Sequence, residues 1–220
     1  MLAMPTTTDQ SLLLAIVDDL AESGWSRQKL FVAQDLTLEL AAECHKRAAQ
    51  GGLSPASIGR GATQVVREGI RGDQIQWLER GQSAATDRYL ELMEDLRQVL
   101  NQGLYLGLED YESHFALYPP GAYYQKHLDR FRDDDRRAVS VLLYLNQDWL
   151  PEQGGALRLY LNGEPGGGEA QPSERVHDLA PLGGSLVVFM SAEVPHEVLP
   201  ATRERLSLAG WFRRRGGSPL

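Results

Sequence analysis

The stretch "YPPGAYYQKHLDRF", Tyr118 to Phe131, sets His127 and Asp129 two residues apart, behind three tyrosines and ahead of the charge run "RDDDRR". Read as an extended segment leaving the "YPPG" turn, it sends residues i and i+2 out of one face, so both side chains enter whatever that face encloses. A His-x-Asp triplet is also common in solvated loops, and two ligands do not make a site. The third candidate is His196 in "AEVPHEVLP", directly after the hydrophobic strand "SLVVFM". Two histidines and one carboxylate on a β framework form a facial triad, which leaves three positions of an octahedral ion open. The other histidines compete poorly. His114 sits on an early strand, His177 and Asp178 are adjacent and would face opposite sides of a strand, and His45 lies within a helix.

Working outward, the period of the apolar residues is two on this side of the chain. "SHFALY", "AVSVLLYL", "GALRLYL", "SLVVFM" and "RLSLAGWF" are short β-rich runs separated by Gly, Pro, Asn and Asp, the pattern of a sandwich or barrel. The first half reads helical. "QSLLLAIVDDLAESG" carries Leu12, Leu13, Ile16, Val17 and Leu20 on one stripe and stops at Gly24. A second helix runs through "LTLELAAECHKRAAQ" to Gly51-Gly52, and a third through "ATDRYLELMEDLRQVLNQG" to Gly103. Between these two, glycines surround the alternating pieces "TQVV" and "QIQWL", which fits a hairpin or long loop over about residues 51–82. "NGEPGGGEAQP" is loop material, since it lacks the lysine and the strand-to-helix setting of a phosphate cradle.

Composition bounds the chemistry. The 220 residues, 42% hydrophobic, suit one domain. "SLLLAIV" is far shorter than a bilayer span, and "MLAMPTTTDQ" has no basic residue to open a secretory signal, so a cytoplasmic protein without a membrane partner is expected. The single cysteine, Cys44, excludes an internal disulfide and a thiolate metal cage, so a metal must use nitrogen and oxygen ligands. A net charge of -8 argues against nucleic acid as partner, because affinity for phosphate backbones comes from Lys and Arg. "RRR", Arg213 to Arg215, reads as a solvated basic end.

After His196 come a short polar turn and a strand beginning at Arg205. With the Pro200-to-Thr202 turn between them, His196 and Arg205 can sit on neighbouring strands facing one cavity. An arginine buried there needs an anion, and a planar carboxylate fits its fork. Ser207, on the same face, can add a hydroxyl. The alternative for Arg205 is a surface pair with Glu204 or another acid.

From about Ile70 to Phe212 the chain resembles the prolyl-hydroxylase branch of the Fe(II)- and 2-oxoglutarate-dependent oxygenases, close to the oxygen-sensing prolyl hydroxylases of animals and their bacterial relatives. The resemblance rests on "IRGDQIQWL", "YPPGAYYQKHLD", "RAVSVLLYLNQDW", "GGALRLY", "PHEVLP" and "RLSLAGWF", in that order. It implies an α+β fold in one domain: a double-stranded β-helix (jelly-roll) core over residues 111–213, with N-terminal and supporting helices over 1–110. It implies iron on His127, Asp129 and His196. It implies the distal carboxylate of 2-oxoglutarate on Arg205 and Tyr144, Tyr118 near the metal-chelating end, and Leu157 lining the pocket. Tyr124, Arg137 and Trp211 match positions at the entrance for a prolyl substrate. Asp73 matches an acid that pairs with the arginine equivalent to Arg137, and the segment before Arg71 would be a mobile loop over the substrate. The implied reaction hydroxylates a prolyl residue of a protein, with O2 consumed, succinate and CO2 as co-products, and ascorbate in a supporting role. Elongation factor Tu is the family-level candidate partner. The same chemistry on a free amino acid or small metabolite, and a non-catalytic metal and 2-oxoglutarate sensor, are the alternative readings.

Overall fold

The computed structural model describes residues 9–56, 69–130, 136–161 and 175–215. "TQVV" and "NGEPGGGEAQP" lie outside these residues. Three helices, α1 (Gln10–Ser23), α2 (Gln34–Ala49) and α3 (Ala84–Leu104), pack on one face of a seven-stranded antiparallel sheet. In chain order the strands are β1 (Trp25–Gln28), β2 (Ser54–Pro55), β3 (Gln74–Trp77), β4 (Leu108–Tyr118), β5 (Tyr124–His127), β6 (Arg137–Tyr144), β7 (Leu157–Leu161), β8 (Arg175–Leu179), β9 (Leu186–Met190), β10 (His196–Val198) and β11 (Arg205–Arg214). The large sheet runs β1-β9-β6-β11-β4-β3-β2 and the small one β5-β10-β7-β8. Facing each other, they form the jelly roll.

The helix ends follow from local chemistry. Asp9 caps α1 by accepting from the Ser11 N–H, and Gly24 ends it at φ 76°, where only a residue without Cβ sits without strain. Ser83 caps α3 through the Thr86 N–H. The expected stop at Gly103 is not the stop. The helix runs one residue further, to a left-handed Tyr105, and Gly103 is instead where α3 meets α1: a Cβ there would lie 2.5 Å from Val17 Cγ1.

Two cores flank the large sheet because its strands alternate. On β11, Leu206, Leu208 and Phe212 face the helices, while Arg205, Ser207, Ala209 and Trp211 face the cavity between the sheets. On β4, Phe115 and Leu117 face the helices and His114, Ala116 and Tyr118 face the cavity. Each fully buried leucine or phenylalanine of the helix side contributes about 1.5–3 kcal/mol, so the site's polar residues are carried on strands anchored from behind.

Some expectations are corrected here. Strand β1, from the stretch between the first two helices, joins the large sheet at its edge, and β2 and β3, within the stretch expected as a hairpin or long loop, pair antiparallel at its other edge. β5 ends at His127, so Asp129 lies beyond the strand. His196 and Arg205 are not on neighbouring strands but on opposite sheets. In the "RRR" stretch, Arg213 is no solvated end, since it bonds Asp110 and Glu112. No helix among the described residues is long and apolar enough to cross a membrane.

Candidate active site

Pairing of β10 with β5 sets His196 directly opposite His127, with ring centroids 4.3 Å apart. The turn beyond β5 returns Asp129 to them: its Oδ1 is 3.5 Å from His127 Nε2 and its Oδ2 is 3.7 Å from His196 Nε2. One ligand atom from each lies within 4.8 Å of the others. His127 Nδ1 is 2.7 Å from the Gln125 carbonyl and His196 Nδ1 is 3.1 Å from that of Val194. A carbonyl only accepts, so both Nδ1 atoms carry the proton and both Nε2 lone pairs are free, as a metal requires. Burial pushes His196 down to about 4, against the pull of Asp129, which keeps the ring a neutral ligand. Burial opposes ionisation of Asp129, but the two histidines, whenever either carries a second proton, and the Ser140 hydroxyl outweigh it and hold the carboxyl well below its ordinary range. The donor set fits a divalent iron with open positions.

Across the cavity Arg205 is 1% exposed. Its Nε donates to the Gly155 carbonyl at 2.9 Å, Nη1 reaches Ser207 Oγ only at 3.5 Å, and Nη2 has no partner among the described residues. The buried Tyr144 hydroxyl also has none, and its ring lies 5.1 Å from the guanidinium. Burial raises the pKa of Tyr118 and Tyr144 although Arg205 pulls both down, so both phenols stay protonated donors. Two orphaned buried donors beside one hydroxyl form a cradle that a carboxylate would complete. Leu157, fully buried, lines the same cavity of about 530 Å³, which extends from the histidines to a mouth at Gly52, Ser54, Pro55 and Trp77.

The mouth differs from expectation in its pairs. Asp73 takes the fork of Arg71, with Nε–Oδ1 at 2.7 Å and Nη2–Oδ2 at 2.5 Å, while Arg137 bonds Glu112 and lies 3.5 Å over Trp211. Tyr124 lines the same cavity. It stacks on His127 at 3.6 Å, and Arg71 covers its other face at 4.6 Å. His45 bonds Glu204 at 2.6 Å, which removes the surface acid that competed for Arg205. Sequence reasoning missed Arg71 and His114 as cavity residues. Arg71 stood in a quoted stretch, two residues before Asp73, and that spacing on one face was the available signal. His114 packs edge-on against Trp77 at 5.0 Å and beside Trp211 at 5.6 Å.

With that geometry established, residues 113–213 match the 2OG-Fe(II) oxygenase superfamily. A prolyl-4-hydroxylase of Pseudomonas putida, known from its crystal structure, is 59% identical, covering 93% of this chain and 100% of that one, with a TM-score of 0.80. The chain belongs to the 2OG-Fe(II) oxygenase superfamily. Within that superfamily it is similar to prolyl 4-hydroxylases, and the co-substrates and metal of the superfamily are 2-oxoglutarate, O2 and Fe(II). A prolyl hydroxylase of Trichoplax adhaerens, solved in complex with a peptide fragment of the hypoxia-inducible factor oxygen degradation domain, has a TM-score of 0.79 at 26% identity, covering 93% and 90% of the two chains. The hypoxia-inducible factor prolyl hydroxylase of Caenorhabditis elegans is 27% identical over 90% of this oxygenase, and Egl nine homolog 1 of Homo sapiens is 30% identical over 65%. The oxygenase spans only 27% and 33% of the length of those two relatives.

Proposed function

We propose that this oxygenase hydroxylates a prolyl residue within a protein substrate, using iron on His127, Asp129 and His196. The carrying observation is the cavity itself. It opens from the metal ligands to a mouth between β2, β3 and the segment at Arg71, where Trp77, 45% exposed, offers an aromatic wall to an incoming chain. The Trichoplax adhaerens relative holds a peptide, which supports a polypeptide rather than a free metabolite as substrate.

In this reading the chain's own groups bind, orient and exclude water. Arg205, Tyr144 and Ser207 hold the distal carboxylate of 2-oxoglutarate, with Gly155 aiming the arginine through its Nε. Tyr118, fixed opposite Arg205 on β4, sits toward the chelating end. Leu157 and Val198 shield the co-substrate from water. Trp211 and Arg137 form one side of the entrance, and Tyr124 holds the His127 ring by stacking. Bound together, Fe(II), 2-oxoglutarate and O2 supply the oxidising power, with succinate and CO2 as co-products. No side chain needs to act as a general base; the protein's contribution is alignment of the target carbon.

The test is mass spectrometry of candidate proteins incubated with enzyme, Fe(II), 2-oxoglutarate and ascorbate, starting with elongation factor Tu. A gain of one oxygen on a single proline, lost in His127→Ala, is expected. Oxidation of free proline with no protein modified would sink the protein-substrate reading and leave the iron site standing.

A further inference from the structure

Ser140 lies in the middle of β6, fully buried, on the face that β6 otherwise fills with Leu142 and Tyr144. Ser191, just beyond β9, is also fully buried, and its N–H is held 3.0 Å from the Ala138 carbonyl. A hydroxyl in such a place is costly unless bonded, and an alanine would suit the surroundings without that cost. Both hydroxyls are bonded, to each other at 2.8 Å and, through Ser140 Oγ, to Asp129 Oδ2 at 2.7 Å. The direction of these bonds is forced. A metal-binding carboxylate is ionised and only accepts, so Ser140 donates to Asp129. A hydroxyl has one hydrogen, so Ser140 then accepts from Ser191.

We infer that Ser140 and Ser191 are positioning residues that hold Asp129 as a one-oxygen metal ligand. With one lone pair of Oδ2 engaged by Ser140, turning the carboxylate to present both oxygens equally would bend or break that bond. Two-oxygen binding would use one of the three positions that a His-His-Asp site must leave open. The polarity runs one way, from Ser191 through Ser140 to Asp129, so loss of Ser191 weakens the arrangement and loss of Ser140 abolishes it. This rests on the iron-site reading of His127, Asp129 and His196.

The experiment uses Co(II) as probe in the full chain, with visible d–d absorption and affinity read by titration. In Ser140→Ala, Co(II) affinity is expected to fall about 10- to 100-fold, the usual effect of removing an outer partner of a ligand, and the d–d bands to change shape as the carboxylate rotates. Ser140→Thr, which keeps a hydroxyl and suits a strand, retains the wild-type spectrum, and Ser191→Ala gives a smaller shift in the same direction. Unchanged spectrum and affinity in Ser140→Ala would overturn the inference, as would a Ser140→Thr spectrum displaced as far as that of Ser140→Ala. Should Ser140→Ala not fold, Ser191→Ala decides alone: wild-type bands there overturn it. A wild-type chain that takes up no Co(II) would instead defeat the iron-site reading, which separates the two failures.

Discussion

At the scale of the residue, Arg205 shows how a co-substrate site costs the free protein. Its guanidinium is buried, with one donor nitrogen unpaired among the described residues, and lies 5.1 Å from the ring of Tyr144, whose buried hydroxyl is equally unpaired among them. A buried charge with incomplete partners is a poor contributor to stability, and apolar replacements of similar volume are often neutral or stabilising. Arg205→Met is therefore expected to leave the metal-free protein no less stable in urea denaturation, within about 1 kcal/mol, while 2-oxoglutarate affinity falls at least about 100-fold, as for loss of one partner of a desolvated charge pair. A clear loss of stability in the metal-free form would show that Gly155 and the tyrosine rings already satisfy the arginine. His114 gives a second residue-scale expectation. Burial, with Arg71 and Arg137 adding repulsion that Asp73 partly offsets, pushes it down to about 4. An ordinary histidine titrates near 6.5, so between these values the unfolded chain binds a proton that the native one does not. The contribution of neutral His114 is thus full above about pH 6.5, declines as pH falls, and levels off near pH 4, on the order of 3 kcal/mol in all. His114→Phe, which keeps the packing between Trp77 and Trp211, should flatten that part of the stability curve; superimposable wild-type and variant curves would refute the assignment.

At the scale of the element, the contact of α1 with α3 depends on one missing methyl group. Gly103 sits inside α3, where alanine would ordinarily gain about 1 kcal/mol of helix propensity. Here the added Cβ would meet Val17 Cγ1 at 2.5 Å, and a β-branched valine has little freedom to give way. Gly103→Ala should then lower the melting temperature, overpacking costing about 1–3 kcal/mol, and Val17→Ala in the same chain should recover part of the loss. A more stable single variant would mean that the helices separate easily. Glycine at this point was legible in the sequence, but as a stop, because composition alone does not distinguish a helix end from a close crossing. The long alternating runs that became β4, β6, β9 and β11 were legible for the opposite reason: one face of each meets the helices and the other the cavity, so the pattern of period two is strong. Strands β1 and β8 were not, since "WSRQ" and "RVHD" lie at sheet edges where exposure removes the pattern. The site shows the same division. His127 and Asp129 are close in sequence and stood out, whereas Ser140 and Ser191 acquire meaning only when β6 and β9 pair and bring their hydroxyls together.

At the scale of the whole molecule, the site is divided between the two sheets, and that division has a thermodynamic consequence. His127 and His196 belong to the small sheet, Arg205 and Tyr144 to the large one, and the cavity between them is lined by side chains of both. A ligand that grips the metal at one end and the arginine at the other ties the sheets together along the cavity, whereas the metal alone reaches the large sheet only through Asp129 and Ser140. Metal without 2-oxoglutarate engages the small sheet and the turn at Asp129. 2-Oxoglutarate without metal has only the arginine cradle and lacks its chelating partner. The two should therefore bind with positive coupling, each raising the affinity of the other by the same factor. Ligation stabilises the native state by mass action, by about 2.7 kcal/mol at a hundredfold excess over the dissociation constant. Melting temperatures measured with Mn(II), with 2-oxoglutarate, and with both should accordingly show a combined increment larger than the sum of the separate ones. Arg205→Ala should keep the Mn(II) increment and lose the excess, and His127→Ala should lose both, because the metal and the chelating half of the co-substrate site disappear together. Strict additivity in the wild type would mean that the two sheets are already held as one rigid body by the shared core of Leu142, Leu159 and Phe189, with no free energy left for the ligands to contribute by joining them.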